Sequence, residues 1–251
     1  MTAAATYFLL FIRFTAIMVV LPFFNWRGTP TAIKIAFAGL FAYLIYLAES
    51  PQEIVLPAHL LLYLLAVFSE VLLGLALGYL AFLLFTAIRM AGQLIDLQAG
   101  LAMSTLFDPM YAGQVTIFGQ YYYLLALILF FYTNAHHYLF LALARSVELI
   151  PPGGVVFQAA LLPPLINFFT ETVLIALQLA APVLAVLIFC DLALGLLSKT
   201  VPQLHVLIVG MPLKVGVALF TVYLILPYLA PFIEQIFLKV QTNIIAFLRL
   251  I

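Results

Sequence analysis

The sequence predicts an all-α integral membrane protein, and three observations carry that reading. Of its 251 residues 67% are hydrophobic and 7% are charged, more apolar surface than a water-soluble chain of this length needs for its core. The apolar residues fall into runs of about eighteen or more, the length that spans hydrocarbon as a helix. The few ionisable groups, among them Glu70, Arg89, Asp96, Asp108, Glu171 and Asp191, lie inside or beside those runs. Such groups are costly in lipid and face protein or a water-filled cavity. The pattern therefore predicts a membrane-embedded assembly with a passage or a buried interface, not a simple anchor.

The first run, 3–24, holds its first basic residue, Arg13, well inside the apolar stretch. It lacks the basic start and small-residue cleavage site of an export signal and is expected to be a retained helix. Pro22 ends it, and Asn25 to Pro30 has turn composition with an interfacial Trp26. A second run covers 32–48. The third stays compatible with helix over 58–97, roughly 60 Å at 1.5 Å per residue and about twice the hydrocarbon thickness. It must tilt strongly, break or project beyond the bilayer. The stretch 99–120 is too polar and Gly-rich for a lipid-facing helix and too apolar for a solvated loop. Backbone of that kind lies inside protein or along a cavity. A fourth run, 121–147, is interrupted by Asn134 and the pair His136 and His137, and Pro151-Pro152-Gly153-Gly154 stops it. The fifth, 161–197, carries Pro163, Pro164 and Pro182; the sixth, 204–236, carries Pro212, Pro227 and Pro231. Each proline removes a backbone donor, so both are expected to be kinked or broken. The chain is read as a single unit over 1–251, with an internal connector at about 106–120.

Arg89, Gln93, Asp96 and Gly100 follow one another at spacings of four, three and four, which places them on one helix face. Gln93 lies between the two charges and is placed to link them. The stripe faces either a neighbouring subunit or passage, or a polar cluster that fixes packing within the chain. Glu70 with Gly74 and Gly78 sets a carboxylate beside a G-x-x-x-G face, where backbones of two helices approach closely; the partner helix lies in this chain or in another. Asn167, Glu171 and Gln178 form a second polar stripe. Phe107-Asp108-Pro109-Met110 combines turn residues with bulky, deformable apolar ones, fitting in kind a hydrophobic gate, with an ordinary cap and turn packed against the bundle as the alternative.

Several functions are disfavoured. Nine basic and nine acidic residues leave no basic surface for nucleic acid. Cys190 alone forms neither an internal disulfide nor a cysteine metal cluster. His136 and His137, adjacent on a helix, point about 100° apart with no third ligand at suitable spacing, and His59 and His205 lie in other segments. Ser104 and Ser198 lack a nucleophilic setting and no phosphate loop is present. No catalytic group, metal or cofactor is expected. A small-solute secondary transporter would use broken helices and midmembrane polar groups, but would bring inverted repeats that this sequence does not display. A purely structural membrane scaffold is the other alternative.

AGQLIDLQAGLAMSTLFDP at 91–109 and DLALGLLSKTVPQLHVLIVGMPLK at 191–214 resemble the FliR family, the flagellar member of the export-gate proteins of type III secretion. The turn and lysine of RGTPTAIKIAFA at 27–38 and the glycine-rich EVLLGLALGYLAFLLFTAIRMAG at 70–92 support the resemblance, which covers nearly the whole chain. Injectisome members share the plan, and the G-M-P-L-K ending at Lys214 looks more flagellar. His205 stands where relatives commonly carry Asn, Lys34 lies in a turn where relatives are often richer in basic residues, and no substrate-switch domain is expected behind Ile251. The resemblance implies an all-α export-gate subunit with long and broken helices, like a fusion of its two partner folds. It implies one copy assembling with five copies of one gate subunit and four of another, alongside further export-apparatus membrane proteins. The implied site is the centre of the flagellar basal body in the bacterial inner membrane, passing unfolded flagellar subunits. Proton-motive force and an associated ATPase would supply the energy. It also implies a gating plug of Phe107, Asp108, Pro109, Met110, Tyr111, Gly113, Ile117, Phe118 and Gly119. Assembly and packing fall to Glu70, Gly74, Gly78, Arg89, Gln93, Asp96, Gly100, Glu171, Asp191 and Lys214.

Overall fold

The computed structural model describes residues 2–24, 29–49, 60–101, 116–155, 162–200 and 206–249. Among them are seven α-helices and no strand: α1 Thr2–Val20, α2 Thr31–Glu49, α3 Leu60–Ala99, α4 Ile117–Tyr132, α5 Ala135–Leu149, α6 Leu162–Thr200 and α7 Val206–Leu248. The all-α expectation is borne out. Five of the helices (α1, α2, α3, α6 and α7) are long and apolar enough to cross a membrane, and the α4–α5 pair makes a sixth if taken as one bent span.

The expected overlong third helix is present as 40 continuous residues. The later helices, expected to be kinked or broken at their prolines, are not broken. α6 and α7 are assigned as helix straight through Pro182 and through Pro212, Pro227 and Pro231. In apolar surroundings a broken helix would strand many more backbone groups than the single carbonyl each proline frees, so the helix continues past it. The fourth run is instead two helices, bent by 74°. Asn134 turns the chain there in the left-handed conformation, φ 57° and ψ 22°, a region that asparagine enters more readily than most residues. α7 also extends twelve residues beyond the expected end at 236. The apolar run stops at Lys239, but Ile244, Phe247 and Leu248 keep the helical spacing and are buried.

The chain divides into two compact units. The first holds residues 1–84, 134–169 and 236–251, and α1 is its most buried helix: Leu9, Leu10, Phe14, Ile17 and Met18 are all shielded. On one side α2 packs against α1 through Phe14 on Phe41, ring centroids 4.8 Å apart, and through the Tyr7 hydroxyl, which donates to the Gly39 carbonyl at 3.2 Å. On another, α3 approaches at Gly74 and Gly78. An ideal Cβ on Gly74 would lie 2.5 Å from the Arg13 carbonyl oxygen, and one on Gly78 3.0 Å from that of Ile17. The G-x-x-x-G face thus meets a helix of its own chain.

The second unit holds residues 85–133 and 170–235. Phe118, Tyr122, Ala126 and Phe130 recur every four residues and form the buried face of α4. On α3 the buried stripe is Ile88, Ala91, Ile95 and Ala99. Phe85 meets Phe130 edge to face at 5.2 Å. α6 and α7 leave Phe189, Leu192, Leu196, Phe220, Tyr223 and Tyr228 exposed.

Candidate functional site

Asp96, near the end of α3, organises the candidate site of the second unit. Its backbone carbonyl accepts from the Leu101 N–H at 3.0 Å, while the Gly100 N–H donates to Leu97 at 3.2 Å. With Gly100 at φ +87° these are the two bonds of a Schellman motif, which closes α3 and requires a residue tolerant of positive φ. Gly100, expected to extend the polar stripe, ends the helix. The Asp96 side chain, 2% exposed, turns to the start of α4. Its two oxygens accept from the Phe118 and Gly119 N–H groups, both at 3.0 Å. Those amides have no partner inside their own helix, and a carboxylate there is favoured by the helix dipole. The chain therefore leaves α3 and enters α4 at one residue.

Close approach makes the contact possible. A Cβ on Gly92, one turn before Asp96, would overlap the Phe118 carbonyl and the Gly119 nitrogen. An ideal Cβ on Gly119 would sit 3.0 Å from Gln93 Cγ. Further back, the Arg89 guanidinium carbon lies 5.9 Å from the centre of the Tyr123 ring. Arg89, Gln93 and Asp96 do share a face, and α4 of the same chain lies along it. Asp96 spends its oxygens on α4, which is the packing reading of the stripe rather than an Arg89–Asp96 link. Gly92 was not singled out in the sequence, although a glycine one turn from Asp96 was the available signal. Of the expected gating residues, Ile117, Phe118 and Gly119 form the first turn of α4. Phe107, Asp108, Pro109, Met110, Tyr111 and Gly113 lie outside the described residues, as do His59 and His205.

The first unit holds a buried ion pair that the sequence reading missed. Arg13 on α1 and Glu70 on α3 have fully shielded side chains. Arg13 Nε donates to Glu70 Oε2 at 2.5 Å and Nη2 to Oε1 at 2.9 Å. The remaining guanidinium hydrogens go to the Ser146 and Ile150 carbonyls, each bond 3.0 Å. All five donors of the side chain are thereby used, and the arginine caps the C-terminal end of α5, where cations are favoured. Glu70 Oε1 also accepts from the Gly153 N–H at 2.8 Å. Gly153, at φ +77°, sits in the Pro151–Gly154 turn, closed by the Gly154 N–H on the Pro151 carbonyl at 2.9 Å. Glu70 was recognised as a buried carboxylate; the signal for its partner was the lone arginine inside the first apolar run.

A third cluster joins α3, α6 and α7 within the second unit. Lys214 Nζ lies 2.8 Å from Asp191 Oδ1, and Gln98 donates to Oδ2 at 2.9 Å. The Asp191 side chain is 43% exposed and that of Lys214 15%. Lys214→Met is expected to cost about 1 kcal/mol or less, read as a small shift of the thermal midpoint in detergent. A loss as large as that from the buried Arg13 pair would overturn this ranking. Glu171 is half-buried on α6, with Gln178 exposed two turns on. The His136 and His137 ring centroids lie 4.2 Å apart with the planes tilted by 47°, and no three metal-ligating side chains gather among the described residues.

Residues 4–240 match the family model described as bacterial export proteins, family 1. The chain belongs to this family. Among curated members of the export family, the flagellar biosynthetic protein FliR of Bacillus subtilis (strain 168) is 34% identical over 219 residues, 84% of this chain and 82% of the relative. FliR of Escherichia coli (strain K12) is 29% identical over 234 residues, 93% and 89% of the two chains. The secretion system apparatus protein SsaT of Salmonella typhimurium is 29% identical over 161 residues, 64% and 62%. The resemblance drawn from the sequence, and with it a flagellar export-apparatus function of the type III class, is borne out. The export family is one of structural apparatus components.

Proposed function

We propose that this chain is a structural and gating subunit of the flagellar type III export channel, conducting unfolded flagellar subunits across the bacterial inner membrane. The observation that carries the gating role is Asp96, whose carbonyl accepts from Leu101 ahead of the connector and whose side chain holds Phe118 and Gly119 at the connector's far end. Fastening Leu101, Phe118 and Gly119 to one buried residue fixes the two points between which the connector runs. Phe107, Met110 and Ile117 would supply an apolar obstruction, anchored by the buried ring of Phe118, which excludes hydrated ions by dewetting yet yields to a passing chain. Asp108, Pro109, Tyr111 and Gly113 would shape its turn. The proposed assembly has one copy of this chain with five copies of one partner and four of another, at the centre of the basal body, beside further export-apparatus proteins. Work comes from the proton-motive force and the associated ATPase; the chain conducts and performs no chemistry.

Glu70, Gly74, Gly78 and Arg13 would keep the first unit rigid during passage, and Arg89, Gln93 and Asp96 would seat α4. Gly100 would end α3 at the channel segment, and Glu171, Asp191 and Lys214 would hold α6 and α7 for assembly. The test replaces residues 107–113 by a Gly/Ser linker of equal length, leaving Thr116–Gly119 intact. The assembled complex should form in normal amount and leak small ions across the membrane. An unchanged seal would sink the gating role, and loss of assembly with no leak would favour the scaffold.

A further inference from the structure

Thr116 occupies the N-cap position of α4, with extended backbone at φ −95° and ψ 97°, yet its side chain makes no capping hydrogen bond. Threonine is among the favoured residues there, and its hydroxyl serves the N–H of the second or third helical residue. In α4 those residues are Phe118 and Gly119, the two whose amides Asp96 already holds at 3.0 Å from twenty-two and twenty-three residues away. The hydroxyl is close by: Thr116 Oγ1 lies 3.0 Å from the position of an ideal Cβ on Gly119. One set of donors thus faces two acceptors, a distant carboxylate that is bonded and a local hydroxyl that is idle toward them.

We propose that Asp96 is a releasable latch on α4 and that Thr116 is its reserve cap, taking over when the latch opens. The carboxylate has the advantage in the closed state, because it serves both amides at once and brings a full negative charge to the positive end of the helix. The hydroxyl serves one amide without charge, so the exchange loses one bond rather than two. Without a reserve cap, opening would strand both donors, the most costly outcome for buried backbone groups. Gly92 and Gly119 keep the two helices near enough for the carboxylate to reach, so the latch is set by backbone contact and not by long side chains. Asp96 is a positioning residue: it acts on the polypeptide path through α4. The exchange of caps stands on this geometry; its part in opening rests on the gating role proposed above.

The test is a double-mutant cycle on the full chain in the purified export complex, read by amide hydrogen exchange at Phe118 and Gly119. Thr116→Val alone should leave both amides as protected as in the parent, because Asp96 holds them. Asp96→Ala should speed exchange, with Thr116 limiting the loss. The double variant should exceed the product of the two singles by roughly five-fold, the factor set by a cap of ordinary strength. Asp96→Asn, which keeps the shape and one acceptor oxygen, should fall between parent and Asp96→Ala, and it replaces the alanine variant in the cycle if that chain does not assemble. In cells, Thr116→Val should preserve the ion seal and lower secretion of flagellar subunits by a similar roughly five-fold factor. An effect of Thr116→Val that is the same with and without Asp96 overturns the reserve cap. Coupled caps with unchanged secretion overturn the part in opening. A tight seal after connector replacement bears on the gating role alone and leaves the exchange of caps to its own readout.

Discussion

Replacing Arg13 with leucine is expected to destabilise the chain by about 3–5 kcal/mol, the range for breaking a buried pair by removing one partner. The size follows from what remains. Glu70 would keep the Gly153 amide and lose both guanidinium bonds, leaving a carboxylate fully shielded from water. At the end of α5 the Ile150 carbonyl would lose its guanidinium donors, and the Ser146 carbonyl would keep only the Ile150 N–H. Glu70→Leu should cost a comparable amount by stranding the arginine. The double variant, with both charges gone, should be more stable than either single by more than about 1 kcal/mol, since a buried pair is costly to break and often nearly neutral to replace. Thermal midpoints and protease resistance in detergent would report all three. Additive losses in the cycle would mean that the two residues stabilise the unit independently, contrary to the bidentate geometry.

Gly92→Ala should be nearly as damaging, at about 3 kcal/mol, the upper end for overpacking. The added methyl would meet the backbone of Phe118 and Gly119, and backbone cannot swing aside as a flexible side chain does. To admit it α4 must move away from α3, which draws the two amides off Asp96 as well. The control is Gly216→Ala on α7, where a Cβ would meet nothing within 4 Å. There the change should be neutral or stabilising by about 0.5–1 kcal/mol, through the better helix propensity of alanine. If the two substitutions had equal effects on the thermal midpoint, the close approach at Gly92 would be refuted.

The sequence was most legible where length and composition decide the outcome. The run over 58–97 became α3 at Leu60–Ala99, because forty residues compatible with helix and free of proline leave the backbone no cheaper way to satisfy itself in hydrocarbon. The prolines did not mark the breaks: α6 and α7 continue through theirs while Asn134 bends the chain. The spacing of Arg89, Gln93 and Asp96 gave a correct shared face without naming its neighbour. Periodicity states which residues lie together on one helix and is silent about the helix opposite.

The same limit separates the two polar centres. The sequence by itself determined that this is an all-helical membrane protein, that Glu70 and Asp96 lie in apolar surroundings where they need partners, and that the chain resembles the export family. Only the tertiary structure decided who those partners are: Arg13, fifty-seven residues from Glu70, and the amides of Phe118 and Gly119 for Asp96. The need for a partner follows from the local cost of burying a charge. Its identity depends on which backbones approach closely enough, and that is fixed by packing at Gly74, Gly78 and Gly92, contacts that the residues of one helix do not encode alone.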